Sequence, residues 1–319
     1  MSHEVLDDGL IVRTRAMASD VTIRVGASGD DPHARAHVDR AVRIFATTEA
    51  ACTRFDPSSP LMLANAGPER WHAVGGTCFD ALVEARRAYV ATDGRFDPRV
   101  WGDLIALGYD RSLPFAQGNL TLDRAHRGGR PALGPWCPRF RVGTHEVLLG
   151  SRPVDLGGIA KGLAVRWAAQ SLAATFDDFL VEAGGDCICA GSSPDGEPWR
   201  VGVEDPAGSS EPVAVLALED RACATSSVRL RRWRVGGASV HHLIDPDTGL
   251  PGGDGLASVT VVGRDPAESE VWSKTLFLAG ADRVGPLATG RRLAAIWVDD
   301  RGSVEFSPSM ARHVLWQAP

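Results

Sequence analysis

Lysine is almost missing from this chain. Lys+Arg total 34, yet only Lys161 and Lys274 are lysines, and arginine carries the rest of the positive charge. Each lysine position is therefore worth noting. An excess of positive charge is also missing. The formal net charge is −6, which argues against a nucleic-acid surface. No apolar run approaches the length of a membrane-spanning helix, so membrane insertion is not expected. The first residues, MSHEVLDDGL, show no basic segment followed by an apolar one, and no lipoprotein-type cysteine. The six cysteines (Cys52, Cys78, Cys137, Cys187, Cys189 and Cys223) form no CxxC pair and no zinc spacing. They read as small buried thiols of a reducing compartment, and the expected location is cytoplasmic. Internal repeats and low-complexity tracts are absent as well.

What is present is an ordinary globular mixture: 319 residues, 44% hydrophobic and 23% charged. A chain of this length buries a core without covalent staples. It reads as a single domain over 1–319. The Gly-, Pro- and Arg-rich stretch at about 111–137 is the candidate seam between two closely fused halves, and reads as irregular surface structure. Period-2 patterns predict strands at Val21–Val25, Phe179–Ala183, Trp199–Val203, Val213–Leu218 and Ser258–Val262. Cys187 and Cys189 alternate along a further strand. Hairpins are expected at Arg139–Val142 with Val147–Leu149, and at Leu293–Val298 with Ser303–Phe306. Helical spacing marks His37–Ala51 and Cys78–Ala91, the latter ending near Asp93-Gly94, where glycine suits a C-terminal cap. A helix should follow Asp155-Leu-Gly-Gly. Another should open at Asp265-Pro-Ala-Glu268 (a capping side chain, proline first and glutamate third) and run to about Ala279. The class is α+β: mixed, mostly antiparallel sheets with packed helices.

Four glycine-containing segments stand where backbone must approach something closely: Asp93–Pro98, Val154–Gly162, Glu182–Asp186 and His241–Gly249. In Val154-Asp-Leu-Gly-Gly-Ile-Ala-Lys-Gly162, glycines at a helix start leave N–H groups and a positive dipole end that suit a diphosphate, with Lys161 as a mobile charge. The alternative is a helix capped by Asp155, with glycines for close packing and Lys161 in solvent. His242 offers a base and Asp245 a carboxylate; both could instead belong to a surface turn, as could Asp97-Pro98. Glu270 and Lys274, four apart, share a helix face. They form either a weak surface ion pair or part of a polyphosphate site.

Together the segments FDPRV, DLGGIAKG, AGGD, ATSS, HLIDPDTG and SVTVVGRDPAESEVWSKTLFLAG resemble, in order and spacing, the FAD:protein FMN transferase (ApbE) family. The resemblance covers about residues 12–300. Thr53-Arg-Phe-Asp-Pro57 with Asn65, and Met17 at the edge of the first strand, extend it. It implies FAD lying between the two halves, with a magnesium ion on its diphosphate. It also implies transfer of FMN through a phosphoester to a Ser or Thr of an acceptor protein, with release of AMP. The implied FAD contacts are Met17, Arg95, Phe96, Asp97, Asp155, Lys161 and His242, and His242 is also the implied base. The implied metal ligands fall on the Gly158 carbonyl, on Glu270 and on Lys274. An ammonium cannot be a ligand, so Lys274 paired with Glu270 would stand in for the cation. Arg95 and Arg99, where the family often has small residues, either add charge toward phosphates or are exposed. A flavin-binding protein without transfer activity, or an FAD diphosphate hydrolase yielding FMN and AMP, are the competing expectations.

Overall fold

The computed structural model describes residues 2–6, 9–27, 31–113, 115, 121, 122 and 133–318; for 2–6, 121 and 122 it describes the backbone alone. Much of the 111–137 stretch lies outside the described residues.

The centre is one nine-stranded sheet in which every neighbouring pair is antiparallel. Its strands are β1 (Ser2–Leu6), β2 (Gly9–Ala16), β3 (Ser19–Val25), β4 (Phe179–Ala183), β5 (Asp186–Ala190), β6 (Arg221–Ser227), β7 (Leu256–Gly263), β8 (Ala294–Asp299) and β9 (Val304–Phe306). Spatial order follows chain order from β1 to β9. Strands from both sides of 111–137 thus share one sheet. Along β3, Val21, Ile23 and Val25 are buried and their neighbours are not, the alternation of a strand with one face on a core. In β8 five consecutive residues are buried, as expected where both faces are covered.

Helices α1 (Pro32–Cys52), α5 (Ala160–Leu172) and α6 (Pro266–Leu278) pack on the sheet. The core beneath α1 and α5 includes Val38, Ala41, Phe45, Ala164, Ala168 and Val181. A second, three-stranded sheet of Trp199–Val203, Ala214–Leu218 and Val314–Gln317 shares a core with Cys187, Cys189, Cys223 and Ile296. Helices α2 (Pro60–Asn65), α3 (Gly75–Ala91), α4 (Trp101–Ala106) and α7 (Ala281–Gly290) complete the described α-helices. Among the described residues no helix is long and apolar enough to cross a membrane. The α+β class with mostly antiparallel strands is borne out.

Local rules account for the helix starts. Asp265 caps α6 by accepting the Glu268 N–H at 2.9 Å, with Pro266 in the first position. Asp31 and Pro32 do the same for α1, which starts ahead of the expected His37. After α3, Gly94 sits at φ 80° and its N–H donates to the Tyr89 carbonyl at 2.8 Å, closing the helix as glycine should. Arg166 of α5 ties the helices together, reaching Glu84 of α3 at 2.7 Å and the Asp265 cap at 2.6 Å. Where α5 crosses α6 the residue is Gly162. A Cβ there would lie 2.7 Å from backbone atoms of Pro266 and Ala267, so only glycine permits this approach.

Three expectations need correction. Cys137 is exposed, while the other five cysteines are buried. Trp136 is buried rather than part of a surface stretch, its indole N–H donating to the Leu149 carbonyl at 3.0 Å. The strand at Val21–Val25 is not the first: Gly9–Ala16, absent from the periodicity, precedes it and pairs with it, so that Met17, at the N-terminal edge of the expected strand, is also the tip of the β2–β3 hairpin.

Candidate functional site

A cleft of ≈ 350 Å³ opens where the β2–β3 tip, the C-terminal end of α1, residues 95–100, the start of α5, residues 242–244 and Lys274 of α6 converge. This size is in the range of small-molecule sites. Met17, Arg95, Phe96, Asp97, Asp155, Gly158, Lys161, His242 and Lys274 all line it. Glu270 is not on the wall; it lies buried behind Lys274.

At the hairpin tip Met17 and Ala18 both have left-handed backbone, φ 54° and 55°. Such a two-residue turn matches the twist of the strands but usually uses Asn and Gly. A Met there is locally costly and holds its side chain at the cleft. Its N–H donates to the Glu49 carboxylate at 2.9 Å. On the facing wall Phe96 is buried, and its N–H donates to the Thr92 hydroxyl at 3.0 Å. Asp97 is buried and paired with Arg99 at 2.6 Å. Arg99 is thus neither exposed nor directed freely at phosphates. Arg95 is exposed at the rim.

Asp155 does not cap α5, which begins at Ala160 after Ile159. One carboxylate oxygen accepts the Gly157 N–H at 2.5 Å; the other pairs with Arg54 Nε at 2.8 Å. Arg54 is buried, lies between the rings of Phe55 (4.3 Å) and Tyr109 (4.1 Å), and donates to the Tyr109 carbonyl at 2.5 Å. Its Nη2 has no hydrogen-bond partner among the described residues. Arg54, Phe55 and Tyr109 line the cleft but were not singled out in the sequence as site residues. The Thr53–Pro57 segment carried the only signal. Lys161 is not mobile. Its ammonium lies 2.7 Å from Asp186 and donates to the carbonyls of Ala183 (2.9 Å) and Gly184 (3.1 Å). Burial pushes the Asp186 carboxyl up to about 7, against the pull of Lys161.

Glu270 is buried and Lys274, on the cleft wall, is half-buried, so the pair is not a surface one. Lys274 Nζ is 3.0 Å from Glu270 Oε1, and Glu270 Oε2 accepts the Gly162 N–H at 2.8 Å. The first turn of α5 thus already offers one N–H to a carboxylate. Burial alone would raise the Glu270 carboxyl. Lys274, Lys161 and the Gly162 N–H outweigh it and hold the group below its usual range, so it is ionised. The Lys274 stem lies against Gly158, where a Cβ would be 3.4 Å from Cδ. This donor set does not fit a magnesium ion, which demands oxygen ligands in near-octahedral geometry. The one carboxylate has both oxygens engaged, and the next position carries an ammonium.

His241 ends a strand (Ala238–His241), and His242 follows it in a bend; the two rings have different surroundings. His242 lines the cleft; His241 packs edge-on against Phe277, ring centroids 6.0 Å apart. The His242 Nδ1 lies 3.3 Å from the Arg231 carbonyl oxygen. A carbonyl only accepts, so Nδ1 carries the proton and Nε2 keeps its lone pair. Burial first, then the charges of Arg231, Lys274 and His241, hold the His242 imidazole well below its ordinary pKa. It is therefore neutral at pH 7. His241 is pushed down to about 4, mainly by burial. Asp245 does not orient His242; its side chain accepts the Asp247 N–H at 2.8 Å and closes the turn.

The ApbE family model matches residues 17–297. Among curated relatives, the FAD:protein FMN transferase of Haemophilus influenzae is 32% identical over 161 residues, covering 49% of this chain and 46% of the relative. That of Salmonella typhimurium is 28% identical over 235 residues, covering 70% and 65%. The chain spans about half the length of the curated relatives it matches. The solved ApbE protein of Thermotoga maritima superposes with a TM-score of 0.78 at 25% identity, covering 95% of this chain and 98% of that one. The flavin transferase ApbE from Vibrio cholerae gives 0.74 at 21% identity, covering 98% and 100%.

Proposed function

This chain belongs to the ApbE family, and from that premise we propose that it transfers FMN from FAD to a Ser or Thr hydroxyl of an acceptor protein, releasing AMP. The observation that carries the reading is the meeting in one cleft of a neutral imidazole of fixed tautomer, His242, and two held ammoniums, Lys161 and Lys274.

Phosphoryl transfer asks the protein for positioning and charge neutralisation more than for covalent help. The acceptor oxygen attacks the phosphorus on the riboflavin side of the diphosphate. The bond from that phosphorus to the bridging oxygen breaks, and AMP leaves with that oxygen. The acceptor proton passes to Nε2 of His242, whose Nδ1–H is anchored on the Arg231 carbonyl. Lys161 and Lys274 offset the diphosphate charge. The Met17, Phe96, Arg54 and Phe55 walls are apolar or flat cationic surfaces suited to a planar flavin. A cytoplasmic location remains part of the proposal.

A diphosphate site makes FAD the preferred flavin. Titration followed by flavin fluorescence should give an affinity for FAD at least about tenfold above that for riboflavin, the worth of one or two charge-assisted hydrogen bonds. FMN should fall between them. Equal affinity for FAD and riboflavin would remove the diphosphate reading.

A further inference from the structure

We infer that Lys274 is the built-in cation of the diphosphate site, so that this chain binds and cleaves FAD without a divalent metal. The inference rests on the flavin reading of the cleft and concerns how that site neutralises its ligand.

The ammonium is held from two sides. Its stem runs along Gly158 on the cleft wall. Its charge is anchored 3.0 Å from Glu270, whose other oxygen is anchored on the Gly162 N–H at the start of α5. Glu270 takes one of the three N–H donors of Lys274; an ammonium has two more to give. A lysine fixed in this way is a point charge held in place rather than a solvated side chain, whose ordering would offset much of its attraction. The same anchoring accounts for the poor fit to magnesium. A metal at this wall would have to displace the ammonium from Glu270 while keeping a carboxylate that already serves Gly162. A metal ligand set needs oxygens here, and the sequence supplies a nitrogen. With Lys161 held by Asp186 nearby, both lysines of the chain serve the same cleft, although arginine carries positive charge everywhere else.

The decisive comparison is FAD affinity of the wild-type chain, by flavin fluorescence, in excess EDTA and in excess MgCl2. The expected result is agreement within about twofold, far less than the tenfold that 1.4 kcal/mol would produce. AMP release from FAD should likewise persist in EDTA. The double variant Glu270→Asp, Lys274→Thr exchanges the ammonium for oxygen donors. In EDTA it should bind FAD roughly 10–100-fold more weakly, the range set by losing a charge-assisted contact, and MgCl2 should recover part of the loss. A thermal melt of the variant shows whether it is folded; the wild-type comparison needs no variant. FAD binding by wild type that EDTA abolishes and MgCl2 restores overturns the inference and leaves the flavin site intact. No FAD binding under either condition overturns the flavin reading itself, and the inference with it.

Discussion

Replacing His242 with alanine should lower the rate of flavin transfer by about 10²–10⁴-fold, the usual contribution of a positioned base, while FAD affinity changes little. A serine or threonine hydroxyl is a weak nucleophile at neutral pH and must lose its proton as it attacks. Nδ1 of His242 is committed to the Arg231 carbonyl, which leaves Nε2 as the acceptor. Because burial and neighbouring charge hold this imidazole well below 6.5, it stays deprotonated in mildly acid solution. The transfer rate of wild type should therefore remain flat as pH falls from 7.5 through 6.5, where a free histidine would already be losing activity. His241→Ala should have a much smaller effect, since that ring faces Phe277 and not the cleft. Single-turnover rates for the two variants, with FAD affinity measured alongside, separate the roles. If both transfer at the wild-type rate, the base lies elsewhere, with Asp97 the next candidate. If His242→Ala loses FAD binding instead, the residue is a cofactor contact.

The second large effect is on stability. Glu270→Ala should destabilise the protein by about 3–5 kcal/mol, the cost of breaking a buried ion pair from one side. The variant leaves Lys274 without its carboxylate and the Gly162 N–H without an acceptor, at the crossing of α5 and α6. Replacing both partners at once, Glu270→Leu with Lys274→Met, removes the stranded charge and should recover most of the loss. Urea denaturation in the absence of FAD measures both. A Glu270→Ala protein within about 1 kcal/mol of wild type, the range of a surface pair, would mean that the pair is effectively solvated. The pH dependence has a definite sign. The Glu270 carboxyl is held below its unfolded value, so its stabilisation is present above the unfolded pKa and is lost as pH falls through the folded one.

Much of the fold was legible because it obeys local rules. Asp265-Pro-Ala-Glu268 announces α6 within four residues, and the structure uses that cap. The alternation of Phe179–Ala183 and of Val21–Val25 announces strands half buried on a core, and both sit centrally in the sheet. Gly9–Ala16 did not stand out, because its burial pattern runs four residues without alternating. The site was legible as a set of positions but not as a set of partners. Lys161 reads as a free charge beside a helix start, and only β5 brings Asp186 to it. Asp155 reads as a helix cap or as an acceptor at the helix start, until Arg54 from the segment between α1 and α2 takes one of its oxygens. Glu270 and Lys274 read either as a helical surface pair or as part of a polyphosphate site, and packing against α5 buries Glu270 and leaves Lys274 half-buried on the cleft wall. Each is a contact between residues distant in sequence, and no local pattern encodes it.

The proposal that this cleft moves FMN from FAD onto a protein hydroxyl is tested most directly by mass. An acceptor protein bearing a reactive serine or threonine is incubated with the chain and FAD, and its intact mass is measured while AMP is quantified in the same tube. The account predicts an acceptor heavier by one FMN phosphoester, one AMP formed for each flavin attached, and both products formed at least about 100-fold more slowly with the His242→Ala variant. AMP released with the acceptor unmodified would make the protein an FAD diphosphate hydrolase. FAD left intact after binding would make it a flavin-binding protein, and either result would contradict the transferase account.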